Sequence, residues 1–108
     1  MIARIWHGYT KPEDADAYES MLKPELLPGI GKVPGYRGSY LLRRALEGEV
    51  EFITIMIWDS IEAIEAVAGA NYTVSIIPEN RLKYLSRHDS HAAHYEVASM
   101  HGLVGLTG

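Results

Sequence analysis

Residues 52–58 read FITIMIW, an apolar run that only Thr54 interrupts. A strand covered on one face by its own chain should alternate apolar with polar, because successive side chains point to opposite sides of the sheet. Here Ile53, Ile55 and Ile57 line one face while Phe52, Met56 and Trp58 line the other. Both faces therefore need a cover, and a small chain with one layer of helices can supply only one of them.

At 108 residues the chain has the length of a single domain, and 47% hydrophobic content is enough for a core without staples. It contains no cysteine, which excludes a disulfide framework, a thiol nucleophile and CxxC redox or zinc sites, and fits a reducing cytoplasm. A net charge of -4, with ten Lys and Arg spread along the chain, leaves no basic stripe to gather phosphates, so no nucleic-acid partner is expected. Arg4 and His7 interrupt the apolar N-terminus, and no run approaches the roughly 18 residues that span a bilayer. The expectation is a soluble, unprocessed cytoplasmic protein without a membrane partner.

MIARIWHGY reads as a strand running into TKPE, where Thr10 can cap a helix and Glu13 can reach back as a capping box. Tyr18, Met21, Leu22 and Leu26 follow helical spacing, with Pro24 expected to kink or restart the helix. Pro34 and Gly35 suit the centre of a type II turn. YRGSYLLRRAL and EVEFITIMIW then form a hairpin bent at Gly48. DSIE caps a second helix through Asp59 and Glu62; Ile61, Ile64, Val67 and Ala68 give it one buried stripe, and Gly69 stops it. PENRLKYL suggests a further helical piece from Pro78, HAAHYEVAS is the last strand, and residues 99–108 form a tail after a domain of residues 1–98.

The order is strand, helix, strand, strand, helix, strand, and RIWHGYTKPE echoes MIWDSIE, each carrying Ile-Trp before a capped helix. A duplicated split βαβ unit produces that echo. The expected fold is α+β: a ferredoxin-like βαββαβ domain with a four-stranded antiparallel sheet, first and third strands central, and both helices on one face. A second copy is then the expected cover for the other face, which makes a homodimer.

Three segments, ARIWHG, GEVEFITIMIWDSIEAIEAVAG and HYEV, resemble the antibiotic biosynthesis monooxygenase family of dimeric α/β-barrel proteins, over residues 2–98. The resemblance implies two sheets packed face to face in a dimer, with the ligand between the sheet and helices of each subunit. It also implies oxygenation of a phenolic, quinol or polycyclic aromatic small molecule without metal, flavin or other cofactor, or alternatively heme degradation. The heme-degrading branch has a polar strand-one residue that matches His7. Its helical Trp and iron-ligating His fall near Val67 and near Ile76 or Ile77 here, so both groups are missing and heme chemistry is not expected.

Alternation puts Ala3, Ile5 and His7 on one face. A cofactor-free oxygenase needs a base to form the substrate anion, and His7 has the side chain whose ordinary pKa suits that work near neutrality. The plainer alternative is a strand-end histidine bonded to backbone or water. Tyr72 can orient a phenolic ligand, as an aromatic after the second helix does in antibiotic-tailoring members, or can simply fill core. Ile5, Val67 and Asn71 complete the expected binding residues, although Asn71 also suits a loop.

Trp6 has opposite parity to His7, so Trp6, Phe52, Met56 and Trp58 are expected on the partner-facing side as the dimer interface, with an aromatic ligand wall as the alternative. HDSHAAHYE carries His88, His91, His94 and Glu96, but a strand points His91 away from His94 and Glu96, so no metal site is expected. Arg4 can pair with Glu96 across strands on the dimer face. Gly29, Gly31 and Gly35 fall in a Pro-punctuated loop without a phosphate-cradling pattern. Two functions remain: a cofactor-independent aromatic monooxygenase, and a non-catalytic dimeric protein that holds a hydrophobic small molecule.

Overall fold

The computed structural model describes residues 1–26, 33–75 and 77–102, and the side chains of residues 25 and 26 lie outside that description. The expectations for Leu26, Gly29, Gly31, Ile76 and the end of the tail (103–108) therefore fall outside the described residues.

The elements are β1 (Ile2–Thr10), α1 (Ala15–Leu26), β2 (Tyr36–Leu46), β3 (Glu49–Trp58), α2 (Ile61–Ala68), α3 (Glu79–Leu82), β4 (Leu85–His88) and β5 (Ala93–Glu96). The sheet runs β2-β3-β1, with β4 and β5 both pairing antiparallel to β1. β1 and β3 are central, as the ferredoxin-like plan requires. Where four strands were expected there are five: β5 falls within the expected last strand, and β4 is an additional strand before it on the same edge of β1. β4 pairs with Gly8–Thr10 and β5 with Ile2–Ile5, and the interruption between them carries Asp89 back onto His7.

The turn before β2 is of type II: Tyr36 N–H donates to Val33 O at 3.1 Å and Gly35 has φ 82. A Cβ at Gly35 would lie 2.5 Å from the Ala63 Cβ, so only glycine lets this turn approach α2 so closely. The β2–β3 hairpin bends at Gly48, φ 76, in the expected place. Gly69 ends α2, φ 83, also as expected.

Three local expectations are corrected. Thr10 caps nothing: it is the last residue of β1, fully buried, and its hydroxyl donates to Lys11 O. The α2 cap is Ser60, whose side chain accepts from Ala63 N–H, while Asp59 pairs with Arg37. Helix α1 continues through Pro24, which sits two residues from its end, where little of the hydrogen-bond ladder remains to lose.

The larger correction concerns the faces. Phe52 and Val50 pack under Ala15, Tyr18 and Leu22 of α1, and Trp58 packs with Tyr36 against Ile64 of α2. The register Ile2↔Trp58, Arg4↔Met56, Trp6↔Thr54 and Gly8↔Phe52 carries Arg4 and Trp6 to this same helix-covered side. Trp6, Phe52, Met56 and Trp58, expected on the outward side, therefore lie on the face that the helices cover. The outward face holds Ala3, Ile5, His7, Ile53, Ile55 and Ile57, with Tyr40 and Leu42 of β2. Alternation sorts side chains into two sets but does not say which set the helices take. Here the aromatic set, with the most surface to bury, goes under them.

Candidate functional site

The expected site does not assemble on one side of the sheet. His7 and Ile5 lie on the outward face, Tyr72 lies on the helix side, and Asn71 and Val67 are exposed, Val67 at 63%. Two arrangements of polar groups take its place.

The outward one is built around His7. The Asp89 carboxylate accepts from the His7 backbone N–H at 2.9 Å and lies 2.8 Å from Nδ1, while Asp89 N–H donates to His7 O. Nearby, Arg44 donates to Glu51 at 2.5 Å and the Tyr9 hydroxyl donates to the same carboxylate at 3.1 Å. The Arg44 contact is the main cause holding the Glu51 carboxyl below its ordinary pKa. Arg87 stacks 3.6 Å over the Tyr9 ring and pairs with Glu49. A shallow cleft of about 340 Å³ opens here, lined by His7, Leu42, Arg43, Arg44, Glu51 and Ile53. Each of these groups already has its partner, so the arrangement reads as a polar belt beside the apolar outward surface.

The helix-side arrangement differs, because two of its buried polar atoms have no partner among the described residues, although Tyr36 donates to Ser39 there. The sheet row Ser39–Met56–Arg4–His94 lies beside the row Tyr36–Trp58–Ile2–Glu96, with the side chains of both on the α2 side. Trp58 is 5% exposed, yet its indole Nε1 has no hydrogen-bond partner among the described residues. The buried Nε2 of His94 has none either. No carboxylate pairs with Arg4 among the described residues. The expected pairing with Glu96 is not made: Glu96 lies opposite Ile2, whereas Arg4 lies opposite His94 on the helix side of the sheet.

Burial lowers the Arg4 pKa, though a guanidinium stays charged near neutral pH. Burial also lowers the His94 pKa, and the Arg4 charge pushes it the same way, against a hydrogen bond to the Ala92 backbone. Nε2 is the buried ring nitrogen without a partner among the described residues, and burial favours the uncharged ring. Tyr72 closes the patch: its ring stands edge-on to His94 at 5.0 Å between centroids and packs into the Trp58, Tyr36 and Ile64 cluster. Ile2, Met56 and Ile61 make the surroundings apolar.

A buried hydrogen-bonding atom without a partner costs free energy, and native structures keep few of them without a reason. Two such atoms share a face of the sheet with Arg4, which no carboxylate pairs among the described residues. Sequence reasoning placed His94 and Arg4 on the dimer face. The missing signal was the sheet face, since both have the parity of Phe52 and Trp58 once the register is known. Asp89 could not have been found: it lies 82 residues from His7 in an unremarkable loop.

Among the described residues no group of three or more His, Asp or Glu is placed to hold a metal ion, and no helix is long and apolar enough to cross a membrane.

No protein-family model and no curated protein matches the chain. Solved structures do match. One is MhuD of Mycobacterium tuberculosis, a heme-degrader solved with two hemes in its active site, at 20% identity and TM-score 0.63, covering 94% of this chain and 100% of that one. Another, from Bacillus cereus and assigned to the antibiotic biosynthesis monooxygenases, matches at 17% identity and TM-score 0.64, covering 94% and 95%. A third with the same assignment, from Chloroflexus aurantiacus, matches at 15% identity and TM-score 0.52, covering 94% and 98%. At these identities the likeness establishes the fold: this chain has the ferredoxin-like α+β fold of those proteins.

Proposed function

We propose that this protein is a cofactor-independent monooxygenase of the antibiotic biosynthesis monooxygenase type, acting on a phenolic, quinol or polycyclic aromatic molecule at the Arg4–His94–Trp58 patch. The observation that carries the reading is the buried, unpartnered Nε2 of His94 beside unpaired Arg4.

His94 Nε2 takes the acidic proton of the substrate, and Arg4 stabilises the anion that results. For an anthrone, the anion gives one electron to dioxygen, the radical and superoxide recombine to a peroxide, and the proton held on His94 returns to make it a hydroperoxide. Loss of water then leaves a quinone, with one oxygen atom in the product and the other in water. Tyr72 supplies an aromatic wall and a hydroxyl to orient the ring. In this scheme His94 takes the role first expected of His7, whose ring is tied to Asp89 on the other face of the sheet.

The outward face is proposed as a homodimer interface. Ile53, Ile55 and Leu42 form an apolar centre, with Leu42 44% exposed, and the Arg44–Glu51 and Arg87–Glu49 pairs form a polar rim of the kind subunit interfaces show. MhuD binds heme, but Val67 and Ile77 stand near the positions where the resembled heme-degrading branch has its tryptophan and histidine, so heme turnover is not part of the proposal.

The test is oxygen uptake with an anthrone or quinol above its spontaneous rate. His94→Gln is expected to lose roughly 10² to 10⁴ of the enzymatic rate, the usual worth of a positioned base. A full rate in that variant would refute the assignment. Saturable binding without oxygen uptake would support instead a non-catalytic protein that holds the same class of molecule.

A further inference from the structure

We propose that the molecule held at this patch is an aromatic hydroxy acid, its carboxylate gripped by Arg4 and the Trp58 indole N–H and its hydroxyl donating to His94. The inference rests on the site proposed above and adds the substrate class.

Hydrogen-bond count selects the class of molecule. A phenol has one oxygen and needs one partner, or two when ionised. The patch offers more: the guanidinium of Arg4 with its several N–H donors, the indole N–H of Trp58, which can only donate, and Nε2 of His94, which accepts when the neutral ring carries its proton on Nδ1. The complement of two donors and one acceptor is two acceptor oxygens and one O–H. A carboxylate supplies the first pair and matches a guanidinium in shape and charge. A phenolic hydroxyl supplies the third.

The strand register says how these groups should be spaced on the ligand. Trp58 lies on β3 and His94 on β5, with β1 between them carrying Arg4, which is diagonal to Trp58 and directly opposite His94. Neighbouring strands lie about 4.8 Å apart. The two ends of the pattern are thus about two strand spacings apart, with Arg4 nearer the middle. A hydroxyl ortho to the carboxylate would be tied up in its own intramolecular hydrogen bond and would sit too close to it, so the matching acids carry the two groups well apart on the ring. Tyr72, Ile2, Met56 and Ile61 are the apolar neighbours against which such a ring lies. Half-buried Arg4 and Tyr72 keep the patch in reach of solvent.

The test uses three probes on the full chain at pH 7: 6-hydroxy-2-naphthoate, 2-naphthol and 2-naphthoate, their affinities measured by calorimetry. The hydroxy acid is expected to bind about tenfold or more tighter than either single-function analogue, since each lost partner leaves a buried polar group unpaired. Arg4→Gln should erase the advantage over 2-naphthol while keeping the advantage over 2-naphthoate. Trp58→Phe should reduce the first advantage without touching the second. His94→Phe should do the converse. If 2-naphthol binds the wild type as tightly as the hydroxy acid, or if Arg4→Gln and Trp58→Phe both leave the preference intact, the hydroxy-acid inference is overturned and the aromatic site stands. If none of the three binds, both fall.

Discussion

Phe52 and Ile55 lie three residues apart on β3 and, on the arrangement described here, on opposite faces of the sheet. Phe52 is 1% exposed, edge-on to Tyr18 at 5.0 Å, with Arg43 over its ring at 5.3 Å. Truncating a fully buried phenylalanine in such a setting costs about 3–5 kcal/mol, the transfer term plus the cavity left beneath α1. For a domain of this size that corresponds to a fall in melting temperature of roughly 12–40 °C. Ile55 is only partly buried on the outward face, so Ile55→Ala should cost about 1–2 kcal/mol. Thermal unfolding followed by circular dichroism over a dilution series separates the two effects, because any subunit contribution at Ile55 appears as a concentration dependence. Equal losses at high dilution, or a larger loss at Ile55, would show that the helices cover the isoleucine face and would refute the assignment.

Ile53→Asp and Ile55→Asp should each convert a dimer to a folded monomer in sedimentation, since a charge would be buried against the partner; a wild type already monomeric at micromolar concentration would contradict the interface. Gly35→Ala should destabilise by about 2–4 kcal/mol in chemical denaturation, combining the left-handed φ with the 2.5 Å approach to Ala63, and a neutral result would mean the turn readily moves away from α2. Stability should fall on acidification in two windows. His94 has its folded pKa below the ordinary 6.5, so the unfolded chain takes up the proton first and stability drops as pH falls through and below that value. Glu49 and Glu51, held below 4.5 chiefly by Arg87 and Arg44, contribute stability that is present above that value and lost further into acid. His94→Gln should erase the first window only, read as melting temperature against pH. Hemin titration should give no stoichiometric complex with a sharp Soret band and no ring loss under reductant; either would overturn the exclusion of heme.

Much of the fold was legible because local chemistry dictated it. The Pro34–Gly35 turn, the bend at Gly48 and the stop at Gly69 each need a positive φ that glycine supplies, and the helical spacing of Tyr18, Met21 and Leu22 puts α1 where it is found. What was not legible depended on contacts between distant residues. FITIMIW shows that both faces are apolar but not which face meets the helices, and that choice decides whether His7 or His94 stands on the helix side. The break between β4 and β5 is likewise tertiary, since Asp89 leaves the ladder to bind the backbone and ring of His7. The unpartnered Trp58 Nε1 and His94 Nε2 are illegible for the same reason: they are properties of packing, not of sequence pattern.

The most direct test of the central claim is nitrogen-15 NMR of the histidine side chains at pH 7, with and without 6-hydroxy-2-naphthoate. The account predicts a neutral His94 with its proton on Nδ1 and a free lone pair on Nε2, and a ligand-induced shift at His94 Nε2 that His7 does not share. A cationic His94, a proton on its Nε2 in the free protein, or a response confined to His7 would contradict it.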